Sequence, residues 1–244
     1  MTSQRLAGGA AIVTGGVRGI GRAAVLALAR DGADVAIFDL DDEKSDAVRE
    51  VAAAVAQLGR KCFYYRVDVT QSKQVEPAIA AAVAQLGKLT ILVNNAGKGR
   101  DPVSIENLKE EDWDAVVDLN LKSAYLCCRS AVPHLKKQKN AKIVNLSSTA
   151  GRGISPFSVV SYAGAKAGVI GFTRQLAREL GEFGINVNAI APGGIPLHAR
   201  MFVCFLTKCL GVTRNLYCLR LWSTRGLSGY ALVPQHSVRL RFSL

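Results

Sequence analysis

Thr14-Gly15-Gly16-Val17-Arg18-Gly19-Ile20-Gly21 joins a short apolar run, Ala10 to Thr14, to a longer amphipathic one that begins at Gly19. Gly15 permits a tight turn, Gly19 lets a ligand reach the backbone, and Gly21 allows a helix to pack closely. The first turn of a helix leaves N–H groups unpaired and carries a partial positive charge. A strand–glycine loop–helix junction is therefore suited to a pyrophosphate. Glycine-rich turns are common, so the flanks decide. A second apolar run, Val35-Ala36-Ile37-Phe38-Asp39, ends in a carboxylate that could accept the hydroxyl protons of an adenosine ribose.

The same alternation extends outward from this junction. Apolar runs of strand length occupy residues 10–14, 34–40, 61–67, 89–94, 141–147 and 185–190. They are mostly β-branched or apolar, as strands buried on both faces should be. Helical stretches fall between and after them, at 19–30, 43–58, 73–86, 113–137 and 159–182. Strands separated by helices imply right-handed crossovers and one parallel sheet. The expected fold class is α/β: a single Rossmann-type doubly wound parallel sheet of six strands, with helices on both faces.

Composition narrows the function classes. The chain has 244 residues, 49% hydrophobic and 7% aromatic, enough for one buried core. Its net charge of +12 is uneven: all 19 acidic residues lie at or before Glu182, while the rest holds seven lysines and arginines and no acid. A basic balance produced by one segment, with no aromatic stacking motif beside it, argues against a nucleic-acid partner. No apolar run reaches the roughly 18 residues of a membrane helix, and the first residues lack the apolar core of a signal peptide. A cytoplasmic chain with no membrane partner is expected. Six cysteines without a C-x-x-C pair, and only three histidines, give no metal site; the cysteines read as reduced structural thiols.

Further motifs follow in order. They are Asp68 within Val67-Asp68-Val69, Asn94-Asn95-Ala96-Gly97, Asn120, Ser148, Tyr162 with Lys166, and Pro192-Gly193-Gly194-Ile195. With the glycine loop, this series resembles the short-chain dehydrogenase/reductase family over residues 6–196, near its 3-oxoacyl reductase-like and alcohol dehydrogenase members. The resemblance implies hydride transfer between a nicotinamide cofactor and the carbinol or carbonyl carbon of a small alcohol or ketone. It implies Asn120, Ser148, Tyr162 and Lys166 as catalytic residues. For the cofactor it implies Gly15, Arg18, Gly19, Ile20, Gly21, Asp39, Asp68 and Val69 at one end. At the other it implies Asn95, Ala96, Gly97, Tyr162, Lys166, Pro192, Gly193 and Ile195. Asp39 repels a 2′-phosphate and favours NAD(H); Arg18, a cation in the loop, argues for NADP(H), and the acid in direct contact should prevail.

The chemistry also follows from the residues. Tyr162 and Lys166 are four apart and share one helix face. A phenol near pKa 10 is a poor base at neutral pH, and a neighbouring ammonium should draw it down towards the useful range. Ser148 would donate to the substrate oxygen and stabilise charge developing there. Ser147 and Thr149 are alternatives for that role. In the family Asn120 bends its helix and holds a water that relays protons to Lys166. His134 and Cys127-Cys128 read as structural.

After Pro196 the match ends. Residues 197–244 show no clear period and contain no Asp, so the family's closing Asp-Gly-Gly strand is absent and a seventh strand is not expected. The chain divides into a dinucleotide-binding and catalytic domain, 1–196, and an atypical basic tail, 197–244. The tail reads as a product of another reading frame or exon, or as a diverged lid. With it altered, the family's usual homo-oligomer is in question, and a dinucleotide-binding protein with little turnover is the alternative function.

Overall fold

The computed structural model describes residues 4–99, 101–156 and 158–193, together with the backbone of two strands at 216–220 and 230–234. Six parallel strands form the expected frame: β1 (Ala10–Thr14), β2 (Asp34–Asp39), β3 (Cys62–Arg66), β4 (Ile91–Asn94), β5 (Lys142–Leu146) and β6 (Asn186–Ile190). Their order is β3-β2-β1-β4-β5-β6. The winding reverses between β1 and β4, and loops at the carboxyl ends diverge there to leave a crevice.

Helices α1 (Gly19–Arg30), α2 (Asp46–Gln57), α3 (Ser72–Leu86), α4 (Glu110–Val117), α5 (Ser123–Leu135) and α6 (Val160–Leu180) connect or follow these strands. Local chemistry marks several ends. The Ser45 hydroxyl accepts from the Val48 N–H at the start of α2, and Gly87 closes α3 at φ 75°. Two buried clusters separate by sheet face, because successive strand side chains point oppositely. Ala11 and Val13 join the α1–α2 cluster, whereas Ile12 joins the cluster with α3, α5 and the end of α6. Strand β3 departs from the fully buried pattern and is only partly covered, as befits an edge strand.

The long helix expected at 113–137 is interrupted. Residues Asp118–Lys122 form a π turn between α4 and α5, in which the Ser123 N–H reaches back to Asp118. A second difference lies in the tail. Strands β7 (Leu216–Arg220) and β8 (Tyr230–Pro234) extend the sheet past β6. β7 runs parallel to β6, pairing Cys218 with Ile190, and β8 runs antiparallel to β7. The seventh strand that the unmatched tail was not expected to supply is thus present. It gives the β6 edge a backbone partner where bare N–H and C=O groups would otherwise be exposed. The expected domain boundary at 196 lies outside the described residues.

Candidate active site

A cavity of about 950 Å³ opens at the carboxyl ends of β1, β2, β4, β5 and β6. Its floor at one end is the glycine loop. Gly15 and Gly19 have φ of +63° and +53°, in the left-handed region that favours glycine. Gly21 is required by proximity: a Cβ there would strike the Gly15 carbonyl oxygen and lie 2.6 Å from Asn95 Nδ2. The loop is tied to β4, because the Asn95 side chain donates to the carbonyls of Thr14 and Gly15 at 3.0 and 2.9 Å. Thr14 Oγ1 in turn accepts from the N–H groups of Asn95 and Ala96. The N-cap of α1, Arg18, makes no side-chain cap, so the first-turn N–H groups face the cavity without a side-chain cap at that position.

Asp39 and Asp68 line the same end. Asp39 accepts from the N–H of Val17 at 3.0 Å and of Leu40 at 2.8 Å, which fixes its carboxylate against the loop. A carboxylate has about four lone-pair sites, so acceptor capacity remains. Asp68 holds its turn through Thr70, whose N–H and hydroxyl both donate to Oδ1. Arg18 turns to Asp41, its Nη1 standing 2.7 Å from Oδ1 and 2.6 Å from Oδ2.

At the other end, Ser148 follows β5 while Tyr162 and Lys166 project from the first two turns of α6. The Ser148 hydroxyl accepts from the Ala150 N–H at 3.2 Å and is hydrogen-bonded to Tyr162. Ser147 is committed elsewhere: buried, it donates to the Lys166 carbonyl at 2.7 Å. Ser147 and Thr149, the alternatives to Ser148, both line the cavity as well, the Ser147 hydroxyl with its proton committed to that carbonyl. Gly151 lies directly against the backbone of Lys166 and Ala167, so the loop after β5 and helix α6 pack without a gap.

Lys166 is 3% exposed and donates from Nζ to the Leu146 carbonyl at 2.7 Å. Burial lowers its pKa from 10.5 to about 8. Tyr162 moves opposite to the sequence expectation: burial raises it above 10, and the Ser148 hydrogen bond opposes that only in part. The ammonium faces a carbonyl, and stands 5.6 Å from the centroid of the tyrosine ring.

Asn120 does not line the cavity wall but lies behind it, buried in the π turn. Its amide donates to the Val116 carbonyl, four residues back, and to the Lys98 carbonyl, each at 2.9 Å. Its Oδ1 is buried with no hydrogen-bond partner, at the position where a Gly97 Cβ would meet it at 2.6 Å and Lys166 Nζ at 3.0 Å. Asn120, Gly97 and Lys166 therefore meet at one point.

The cavity gathers Ile20, Val69, Ala96, Gly97, Pro192 and Gly193 with the residues above; Ile195 lies outside the described residues. It also includes Lys98, Ser155 and Ser158, which sequence reasoning missed for want of any pattern. Burial pushes up the thiols of Cys62, to about 11, and Cys127, to about 12, and also raises Cys128, consistent with structural cysteines. Among the described residues no group of three or more histidines, cysteines or acids could hold a metal ion, and no helix is long and apolar enough to cross a membrane.

The family model for short chain dehydrogenase matches residues 9–202. This chain belongs to the short-chain dehydrogenase/reductase family. Members of this family are oxidoreductases acting on carbonyl and hydroxyl groups. The chain is 42% identical over 186 residues to a 3-oxoacyl-(acyl-carrier-protein) reductase of Staphylococcus aureus, covering 76% of this chain and 74% of the relative. A reductase of the same description from Thermotoga maritima is 40% identical over 191 residues, covering 78% and 76%. Among solved structures, carveol dehydrogenase from Mycobacterium avium in complex with NAD has a TM-score of 0.73 at 34% identity, covering 77% of this chain and 71% of that one. A short chain dehydrogenase from Burkholderia cenocepacia in complex with NADP has a TM-score of 0.79 at 31% identity, covering 86% and 93%.

Proposed function

We propose that this chain transfers a hydride between NAD(H) and the carbinol or carbonyl carbon of a small alcohol or ketone. The observation that carries this reading is one cavity with Asp39 and the α1 start at one end and Ser148, Tyr162 and Lys166 at the other. The donors fit a dinucleotide. First-turn N–H groups of α1 suit the pyrophosphate, Asp39 suits an adenosine ribose, and Asp68 suits the adenine. When bound, the nicotinamide supplies the hydride chemistry. The chain's own residues position the substrate and manage its proton.

Tyr162, protonated at neutral pH because burial raises its pKa, gives its proton to the carbonyl oxygen in reduction. In oxidation it takes the alcohol proton, after first losing its own. Ser148 orients the substrate oxygen and offsets charge there. Lys166 is a cation held at the Tyr162 face by the Leu146 carbonyl, and Asn120 positions it through the shared contact at Gly97. The 2′-phosphate of NADP(H) is disfavoured because Asp39 is fixed against the loop, and the loop cation Arg18 is paired with Asp41.

A reading as a nucleotide-binding protein with little turnover is favoured by one observation: the match to the family model ends at residue 202, and substrate-covering segments would follow. Turnover coupled to NADH absorbance, across a panel of alcohols and ketones, separates the two. The hydride-transfer reading expects turnover that Tyr162→Phe lowers roughly 10³-fold, with AMP affinity retained. Nucleotide binding without turnover on any of the panel selects the second reading. Turnover that survives Tyr162→Phe overturns the mechanism.

A further inference from the structure

The acid two residues after Asp39 has a separate part in choosing the nucleotide. We propose that Asp41 is a cofactor-selectivity residue: its ion pair withholds the Arg18 guanidinium from a 2′-phosphorylated adenosine. This rests on the nucleotide reading of the cavity given above.

Arg18 is the loop residue that lines the adenosine end, with a side chain 65% exposed and long enough to point either way. The other cations of the lining are Lys98, next to Gly97, and Lys166, beside Tyr162, so Arg18 alone among them lies at the end with Asp39. A 2′-phosphate there would have Arg18 as its nearest counter-charge from the lining. Arg18 instead meets Asp41, whose side chain is only 18% exposed.

Asp41 is the better anchored partner. Its backbone carbonyl accepts from the Tyr64 hydroxyl at 2.6 Å, so the segment after β2 is pinned to β3. The next residue accepts the Ser45 N–H through its carbonyl, which continues the turn into α2. The acid stays in place and the arginine comes to it. Asp39 and Asp41 thus act differently: Asp39 repels a 2′-phosphate directly, and Asp41 occupies the cation that could offset the repulsion. An exposed pair of this kind shifts an equilibrium by up to about fivefold, enough to bias a choice between two otherwise identical nucleotides.

The test compares AMP with adenosine 2′,5′-bisphosphate by isothermal titration calorimetry on the full chain, so it needs no turnover. Asp41→Asn keeps the shape and removes the charge. It should raise affinity for the bisphosphate relative to AMP by about fivefold. Asp41→Glu should restore the original ratio, which a merely structural role for Asp41 would not predict. The double variant Asp41→Asn/Arg18→Ala should show the same ratio as Arg18→Ala alone. An unchanged ratio in Asp41→Asn overturns the proposal, as does a gain that persists without Arg18. A chain that binds neither nucleotide overturns the nucleotide site and this proposal together. A shifted ratio in a chain that never turns over leaves the proposal standing and overturns only the hydride-transfer reading.

Discussion

The Lys166 ammonium donates to the Leu146 carbonyl oxygen at 2.7 Å and stands 5.6 Å from the centroid of the Tyr162 ring. The lysine is thus tied to the end of β5 while its charge remains near the phenol. Burial acts on the two groups in opposite directions, raising the tyrosine above 10 and lowering the lysine to about 8. At neutral pH the pair is a proton-holding phenol beside a cation that discharges readily.

The reaction direction should therefore depend on pH. Carbonyl reduction uses the protonated phenol and should proceed at neutral pH. Alcohol oxidation needs the phenolate, so its kcat/KM should climb with pH through about pH 9, with a change of slope near pH 8 where Lys166 loses its charge. Initial rates in both directions across this range check it. Oxidation that peaks below pH 7 would mean that Tyr162 is not the base.

Lys166→Met should abolish turnover and yet stabilise the fold. The folded-state pKa lies below 10.5, so the folded chain gives up this proton before the unfolded chain does. Below about pH 8 both states hold it and the fold bears the full penalty of a buried charge; from there to 10.5 the wild-type chain gains stability as pH rises. The variant should be more stable by on the order of 1 kcal/mol at pH 7, after loss of the Leu146 hydrogen bond. That advantage should vanish towards pH 10.5 in calorimetric melts. A variant less stable than wild type at pH 7 would refute the account.

Gly21→Ala should weaken both nucleotide binding and the fold. Its methyl group would press on the Gly15 carbonyl and Asn95 Nδ2, so the loop must open. A stability loss of about 1–3 kcal/mol is expected, with AMP affinity falling at least about tenfold, read by calorimetry. Unchanged affinity would mean that the loop does not form the phosphate cradle.

Asn120→Ala removes donors from the buried end of the Lys98 and Val116 carbonyl bonds. Leaving them unpaired should cost about 1–3 kcal/mol. Hydrogen exchange should quicken through the π turn and the segment after β4. Protection unchanged at both places would show that the asparagine does not hold them together.

How legible each part was follows from the range of the forces involved. β1 and α1 match the expected residues end to end, because apolar runs and glycine junctions are local signals. Much of the cavity lining was also readable, since the carboxyl ends of parallel strands converge wherever the order reverses, but Lys98, Ser155 and Ser158 carry no pattern. A bend at Asn120 was implied by the resemblance, but its form as a π turn, with a bond to Lys98 22 residues away, carries no local signal. The Arg18–Asp41 pair spans 23 positions and carries no local signal. The sign of the tyrosine shift depends on how deeply the phenol is buried, which spacing on a helix leaves open. Strands β7 and β8 carry no alternation of their own; β7 takes its place by pairing with the β6 edge, and β8 by pairing with β7.

The seam between Gly151 and the Lys166 backbone, closed by the Ser147 hydroxyl, packs the serine-bearing loop against the tyrosine-bearing helix without a gap. The spacing between Ser148 and Tyr162 is consequently inherited from folding, and substrate arrival need not assemble it. A catalyst organised in this way meets little entropic resistance in its chemical step. Warming should loosen its hold on ligands well before it separates the groups that act on them.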